Sequence, residues 1–287
     1  MINRGILTKI KNVQNTQKIT RAMQMVSVAK MHKTQEHINM ARPYAEKVRA
    51  VMAHLSMTNT DIKLPFLKPH SSVSRAGIIL VTSDKGLCGG LNINLIKRFL
   101  HQVHELSASH ITTEACCLGL KGLIACKKAH IDVIASAVEL GDTPQMDNLI
   151  GPVSRVLQRY EEQSVDMIYI LYSRFINSMK QIPVLEQIVP LTGDHTKVSS
   201  GYAIDYLYEP DAQAVLQWLV KRYIESVIYQ AVADNMASEQ AARMVAMKAA
   251  TDNADHVLKE LLLTYNKSRQ AAITTELSEI MAGAAAV

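Results

Sequence analysis

The last quarter of the chain, from Asp211 to Ala282, contains neither glycine nor proline. It is rich in Ala, Leu, Met, Gln, Glu, Lys and Arg, which lose the least free energy on entering a helix. Read as one helix, the stretch covers about 72 residues and about 108 Å. A globular domain of this chain's length is only about half that across. The sequence therefore predicts a helix that extends beyond its own domain and needs a partner.

A second long helix is predicted at the other end of the chain. No glycine or proline occurs from Ile6 to Arg42, and the pattern continues past Pro43 with spacings of three and four, as in a coiled-coil seam. Because the pattern keeps its phase, we expect Pro43 to kink the helix rather than end it. The apolar positions before the seam include Ile6, Ile10, Val13, Ile19, Met23, Val26 and Ala29. The seam itself runs through Ile38, Ala41, Ala45, Val48, Met52 and Leu55.

The C-terminal helix has a matching seam, which favours antiparallel pairing of the two terminal helices. Its members are Met244, Met247, Thr251, Ala254, Leu258, Leu261 and Tyr265. Between the helices, short apolar runs alternate with helical patterns, which is typical of a parallel α/β domain. Strands are predicted at 76–82, 115–120, 131–135, 165–172 and 184–191.

These patterns together predict an α+β fold. A long antiparallel coiled coil of the N- and C-terminal helices would carry a central Rossmann-like α/β domain. The predicted boundaries are 1–59 for the N-terminal helix, 60–209 for the α/β domain and 210–287 for the C-terminal helix.

Basic residues are concentrated at the N-terminus. The first 35 residues hold seven Lys or Arg and no acid, in a chain of net charge +5. Such a segment favours an acidic partner or a solvated face. The first aromatic is Tyr44, so base-stacking groups for nucleic acid are missing from it. No apolar run approaches the roughly 20 residues that span a bilayer, and no signal peptide is recognisable, so we expect an intracellular protein.

No pattern of catalytic or metal-binding residues stands out. The loop from Ser83 to Asn92 follows a predicted strand, but its glycines fit neither the dinucleotide nor the P-loop spacing. We interpret it as a tight turn, with Asn92 or Asn94 as the helix cap, in preference to a nucleotide site. The four cysteines and ten histidines form no CxxC or HExxH motif. We therefore expect a protein that is not an enzyme and holds no cofactor or metal.

The end of the chain indicates a protein-bound helix. Residues 277–287 are apolar except for polar Ser278 and charged Glu279, whereas a free helix end usually carries several polar residues. We expect this tail to lie in an apolar socket of a partner. The long polar side chains just before it are expected to reach outward to that partner.

Four blocks of the sequence closely resemble the gamma subunit of bacterial F-type ATP synthase. They are QNTQKITRAMQMVSVAKM (14–31), SDKGLCGGLN (83–92), ASEQAARMVAMKAATDNA (237–254) and YNKSRQAAITTELSEI (265–280). The resemblance implies a central rotary shaft inside a ring of three alpha and three beta subunits. The shaft couples rotation of the ion-driven c-ring to conformational change at the catalytic sites, where ATP is made or hydrolysed.

The resemblance also implies partners and a location. The α3β3 ring, the epsilon subunit and the c-ring of Fo would be bound, with one copy of the chain per complex. ATP, ADP and magnesium would bind to alpha and beta rather than to this chain. The complex would lie at the cytoplasmic face of the bacterial inner membrane, with no span contributed by this chain and no bound nucleic acid.

Most of the implied contact residues lie in the matching blocks. Arg21 and Met23 would lie beside an acidic loop of beta. Tyr206 and Tyr208, which lie outside the four blocks, would face epsilon and the c-ring. Further partner contacts are implied at Gln240, Arg243, Arg269, Gln270, Thr274 and Glu276.

Three other functions are compatible with the residues taken without the resemblance. The first is a coiled-coil adaptor with an α/β head that binds an acidic partner without rotating. The second is a nucleotide-binding enzyme that uses the loop from Ser83 to Asn92. The third is a nucleic-acid binder that uses the basic N-terminal helix.

Overall fold

The computed structural model describes residues 2–58, 66, 73–141, 145–191 and 212–285. Its helices are α1 (Ile2–Thr58), α2 (Leu91–Ala108), α3 (Leu120–Lys128), α4 (Met146–Glu161) and α5 (Ala212–Ala285). Its strands are β1 (Arg75–Val81), β2 (Thr112–Leu118), β3 (Asp132–Ala137), β4 (Met167–Asn177) and β5 (Lys180–Val189). The chain divides into two compact units. The smaller unit joins Met1–Ser27 to Arg243–Val287, and the larger is Val28–Ala242.

Both predicted terminal helices are confirmed. α5 has 74 residues, and α1 has 57 residues and continues through Pro43. α1 begins at Ile2 rather than after Gly5, because one glycine costs a helix only about 1 kcal/mol and does not stop it. The predicted domain boundaries, at 59–60 and 209–210, lie outside the described residues.

The larger unit contains a five-stranded sheet in the order β3-β2-β1-β4-β5. β1 pairs in parallel with β2 on one side and with β4 on the other, and β2 pairs in parallel with β3. β1 is buried along almost its whole length, from Ala76 to Val81. Such a continuous apolar run is typical of a strand whose two faces are both covered by helices.

The expected all-parallel sheet is wrong at its last strand. β5 runs antiparallel to β4. The two strands are separated only by Ser178 and Met179, and a parallel crossover needs a dozen residues or more. The sheet is therefore mixed, with a hairpin at one edge.

Two apolar layers cover the sheet. On one face, α2 and α3 pack against the strands through residues such as Leu95, Phe99 and Cys126. On the other face, α4 and the first part of α5 contribute Val156, Tyr160, Ile224 and Ile228 among others. The predicted fold class, with two long terminal helices and a central α/β domain, is confirmed.

Candidate partner interface on the terminal helices

The smaller unit pairs α1 with α5 in opposite directions. Thr20 Oγ1 lies 2.8 Å from Thr251 Oγ1. The side-chain amide of Gln17 donates a hydrogen bond to the carboxylate of Asp255. A step towards the N-terminus on α1 is therefore a step towards the C-terminus on α5. The predicted antiparallel pairing of the terminal helices is confirmed in this unit.

Large apolar and small side chains together build the seam of this pair. On α5 the predicted seam is confirmed, since its buried members are Met247, Thr251, Ala254 and Leu258. On α1 the buried members are Ile10, Thr20 and Ser27. The Ser27 hydroxyl donates to the Met23 carbonyl at 2.9 Å, so the polar atom is satisfied within its own helix.

The structure exposes apolar residues of α1 that a purely apolar pattern would favour for burial. Ile19 is 59% exposed and Val26 is 51% exposed, whereas their neighbours Thr20 and Ser27 are buried. Sequence reasoning missed Thr20 and Ser27 because it followed apolar residues alone. The available signal was spacing, since Ile10, Thr20 and Ser27 fit one continuous series of threes and fours.

The basic N-terminal part of α1 exposes apolar side chains as well as cations. Ile19, Met25 and Val26 lie on its surface together with the exposed cations Lys18 and Arg21. Ile19 and Val26 are seven residues apart and so lie on the same side of α1, where exposed apolar side chains favour contact with a partner. Their basic neighbours indicate that the partner surface is acidic and apolar.

The last residues of α5 have no helix beside them in the smaller unit. The register set at Thr20 and Thr251 brings the start of α1 level with about Gln270 on α5. All residues from Arg269 to Ala284 are exposed. They include the apolar side chains of Leu277, Ile280 and Met281, of which Met281 is 71% exposed.

The predicted contact residues of the smaller unit lie mostly on these surfaces. Arg21 is exposed and Met23 is half-buried. The polar group near the end of α5 is exposed at every position, namely Arg269, Gln270, Thr274 and Glu276. The hydroxyl of Thr274 donates to the Gln270 backbone carbonyl at 2.9 Å, within the same helix.

Two other predicted contact residues are buried within the chain. Gln240, in the larger unit, is 6% exposed, and Arg243, in the smaller unit, is 7% exposed. Each interacts with other groups of the chain. The remaining two, Tyr206 and Tyr208, lie outside the described residues.

The loop after β1 is held by its own side chains. Asn92 donates from its amide to Ser83 Oγ at 2.7 Å and to Cys88 Sγ at 3.2 Å. The expectation that Asn92 or Asn94 caps the helix is wrong, since α2 starts at Leu91 with Gly90 as its N-cap and no side-chain cap bond. The tight strand-to-helix turn itself is confirmed.

Asp84 in this loop reaches the N-terminus of α3, where an anion could bind. Its carboxylate accepts a hydrogen bond at 2.9 Å from the backbone N–H of Leu120, the first residue of α3. It accepts a second, at 3.0 Å, from the N–H of Leu140. Free N–H groups at a helix N-terminus attract phosphate. Here the chain's own carboxylate takes that position, a role that sequence analysis missed although Asp84 follows β1 almost directly.

The four cysteines are free and buried. Burial raises the pKa of the Cys116 thiol to about 12. A thiol–thiol hydrogen bond to Cys126, with sulfur atoms 3.5 Å apart, and burial both raise the pKa of Cys117. Since the thiolate is the reactive and metal-binding form, Cys116 and Cys117 are poor nucleophiles and ligands at neutral pH. Within the described ranges, no group of three or more His, Cys, Asp or Glu has metal-site geometry.

A helix that crosses a bilayer must be long and predominantly apolar. Among the residues that the structure describes, none of the helices combines the length and apolar character that crossing a bilayer requires.

Comparison with protein families gives a match over nearly the whole chain. The model of the ATP synthase family described as "ATP synthase" matches residues 3–287. The ATP synthase gamma chain of Chromobacterium violaceum is 61% identical over 286 residues, which cover 100% of this chain and 99% of that one.

Two solved structures share the fold. A chain of the Euglena gracilis mitochondrial ATP synthase rotor, in rotational state 1, is similar with a TM-score of 0.64 at 18% identity, covering 95% of this chain and 99% of that one. A chain of the OSCP/F1/c-ring assembly of the same enzyme, in rotational state 3, gives a TM-score of 0.68 at 18% identity. It covers 99% of this chain and 94% of that chain.

Proposed function

Since the chain belongs to the ATP synthase gamma chain family, we propose that it is the central rotary shaft of a bacterial F-type ATP synthase. It couples rotation of an ion-driven c-ring to conformational change at the catalytic sites of an α3β3 ring. Coupled in reverse, ATP hydrolysis in the ring turns the shaft and pumps ions.

The observation that carries this proposal is the exposed apolar surface of the smaller unit. The helix pair leaves Ile19 and Val26 on its outside, and α5 continues past α1 with Leu277, Ile280 and Met281 exposed. A two-helix rod with this much uncovered apolar surface is suited to the inside of a protein ring. Many weak contacts spread along such a rod also share the load during rotation.

Specific contacts follow from the family pattern and from exposure. Arg21 and Met23 face an acidic loop of beta, which suits the basic N-terminal segment. Arg269, Gln270, Thr274 and Glu276 grip the upper part of the ring with exposed polar groups. The apolar end of α5 then turns in an apolar sleeve.

Four further predicted contacts have less support from exposure. Gln240 and Arg243 act through a few accessible atoms, because most of each side chain is buried. Tyr206 and Tyr208 are assigned to the epsilon and c-ring side on the family pattern alone.

The chain acts without catalysing a reaction itself. Nucleotide and magnesium bind to the alpha and beta subunits, and this chain holds no cofactor. The position of the Asp84 carboxylate on the N–H groups of Leu120 and Leu140 supports this, since a phosphate there would meet a negative charge.

We assign the complex to the cytoplasmic face of the inner membrane, with this chain as a peripheral subunit present once per complex. The α/β unit bears on epsilon and the c-ring. Each elementary charge that crosses 100 mV releases about 2.3 kcal/mol. Several charge movements must therefore be stored in the shaft before one catalytic site responds, which favours a paired helix over a single one.

Reconstitution tests the proposal against the adaptor alternative. Alpha and beta subunits are assembled with and without this chain, and multisite ATP hydrolysis and subunit stoichiometry are measured. We expect fast hydrolysis only with the chain present, at one copy per three beta subunits. Equal hydrolysis without it, or one copy per beta subunit, would favour a non-rotating adaptor.

A further inference from the structure

Strand β4 runs past the end of its parallel neighbour β1. The last paired residues of the two strands are Leu80 and Leu171, and β1 ends at Val81. β4 continues to Asn177. Beyond Leu171, the flank of β4 that faced β1 therefore has backbone groups with no strand to pair with.

Side chains of α5 take the place of the missing strand at Ser173. The Ser173 N–H donates to Asn235 Oδ1 at 3.1 Å, and the Ser173 carbonyl accepts from the hydroxyl of Ser238 at 2.9 Å. Asn235 and Ser238 are three residues apart and so share one face of α5. All three residues are at most 2% exposed. We call this group the α5 anchor.

The opposite flank of β4 is compatible with this arrangement. Ser173 lies across from Pro183 on β5. Proline has no backbone N–H, so it is tolerated in a sheet only where no ladder bond is needed. The backbone N–H and carbonyl of Ser173 both bond to side chains of α5. The missing N–H of Pro183 therefore leaves neither group of Ser173 without a partner.

Apolar packing surrounds the α5 anchor but does not replace it. Val232 and Met236 pack into the core below the sheet, and Ala233 and Ala237 pack against Ile38 of α1. Apolar contact is non-directional. Hydrogen bonds depend on angle and distance, and two of them to one residue fix both the rotation of α5 about its axis and its position along that axis.

Another polar link between α5 and the rest of the larger unit is weaker. Lys221 on α5 lies 2.9 Å from Glu161 on α4, but the two side chains are 49% and 39% exposed. Exposed ion pairs are screened by water and salt and add little. The buried anchor is therefore the better candidate for a rigid connection.

We propose that Asn235 and Ser238 are torque-transmitting residues, which hold α5 against β4 so that rotation of the α/β unit passes to the shaft helix without slip. This role rests on the proposed function of the chain as a rotary shaft. Asn235 and Ser238 are positioning residues, since they contact neither nucleotide nor the ring.

The test measures torsional stiffness in the complete enzyme. Met179, which is 77% exposed in the β4–β5 turn, is replaced by cysteine to attach a rotation probe, since the four native cysteines are buried. The α3β3 ring is stalled with a non-hydrolysable ATP analogue, and the angular fluctuation of the probe is recorded. We expect Asn235→Ala/Ser238→Ala to raise the angular variance at least twofold and Lys221→Ala to leave it unchanged.

A second readout follows coupling in membranes. The double variant is expected to pump at least twofold fewer ions per ATP against an established gradient. The separate variant Ser238→Thr keeps the hydroxyl and is expected to retain most of the wild-type ratio of ions to ATP. A contact that serves folding alone would lower the melting temperature and leave the angular variance and the coupling ratio as in the wild type. That result in an assembled enzyme would overturn the proposal.

If the double variant fails to assemble, the single variant Ser238→Ala, which keeps the Asn235 bond, is measured instead. It is expected to give a smaller but measurable rise in variance, and wild-type variance in this enzyme would overturn the proposal. Rotation of the Met179→Cys enzyme without anchor substitutions, supplied with ATP, separates the two hypotheses. If that shaft does not rotate, the proposed function fails rather than the role of the α5 anchor.

Discussion

At the scale of single residues, the smaller unit depends on a buried pair of hydroxyls. Thr20 and Thr251 meet across the seam at 2.8 Å, and each is 8% exposed. Replacing one threonine by valine leaves the other hydroxyl facing a methyl group across the seam, with only a carbonyl of its own helix as a partner, whereas removal of both hydroxyls leaves a seam of similar shape.

We therefore expect Thr251→Val alone to lower the free energy of unfolding by about 1–2 kcal/mol. The double variant Thr20→Val/Thr251→Val should recover at least half of that loss. A double-mutant cycle by urea unfolding of the isolated chain measures the coupling. Strictly additive effects would show that the two hydroxyls do not interact.

Gly119 is required by its surroundings. Its φ is +109°, and a Cβ there would lie 2.2 Å from the carbonyl oxygen of Thr82. We expect Gly119→Ala to destabilise the larger unit by more than about 3 kcal/mol, through backbone strain and overpacking.

Gly151 provides the matched control for Gly119. It lies inside α4, and nothing is within 4 Å of the Cβ position. Gly151→Ala should stabilise by up to about 1 kcal/mol, because alanine favours the helix. Thermal unfolding of both variants compares them, and equal stability would contradict the geometry at Gly119.

Tyr172 should make the larger unit sensitive to alkaline pH. Burial, and secondly the Glu186 carboxylate, raise its pKa to about 12, above the ordinary value near 10. The folded state thus holds the phenol proton more tightly, and this stability is present below pH 10 and lost as pH rises to 12.

Over that interval the wild type should lose up to about 2–3 kcal/mol more than Tyr172→Phe, which has no proton to release. Urea unfolding at several pH values between 9 and 12 measures the difference. Parallel stability curves for the two proteins would show that the folded state does not hold this proton.

At the scale of elements, the end of α5 is a helix without a neighbour. Its residues from Arg269 to Ala284 are exposed and contribute little to the stability of the isolated chain. We expect deletion of residues 283–287 to change the free energy of unfolding by less than about 0.5 kcal/mol.

In the assembled enzyme the same deletion should weaken the seating of the shaft in its sleeve more than the coupling of ATP to ion transport. Rates of dissociation from the ring and ions pumped per ATP separate these effects. Complete loss of coupling would show that the tip of α5 does more than turn in a bearing.

The sequence predicts the elements better than their contacts. Both long helices are confirmed because the absence of glycine and proline is a local property of the chain. The direction of β5 follows from the two residues, Ser178 and Met179, that separate it from β4. The predicted strands, 165–172 and 184–191, end too early and start too late to reveal this hairpin, because the polar residues between them do not continue the apolar pattern.

Contacts between distant residues were harder to predict. Thr20 is buried where it meets Thr251 of α5, and Ser27 is buried where its hydroxyl bonds to its own helix. Asp84, Asn235 and Ser238 satisfy backbone groups that are up to 65 residues away along the chain. No local pattern reveals such a partner before the fold is known.

At the scale of the whole molecule, different parts of one chain have different tasks. The α/β unit receives rotation, the α5 anchor passes it to the helix, and the exposed apolar and basic surface of the smaller unit engages the ring. The last two tasks depend on residues whose exposure or burial is the reverse of what their polarity would favour. Ile19 and Val26 are exposed, whereas Asn235 and Ser238 are buried.

The central claim is that this chain rotates inside an α3β3 ring, and direct observation of rotation tests it. The ring is fixed to a surface, ATP is supplied, and a probe is attached to the Met179→Cys variant at the β4–β5 turn. The account predicts steady rotation in one direction with three pauses per turn, one for each catalytic site. A probe that stays still while the same complexes hydrolyse ATP would contradict it.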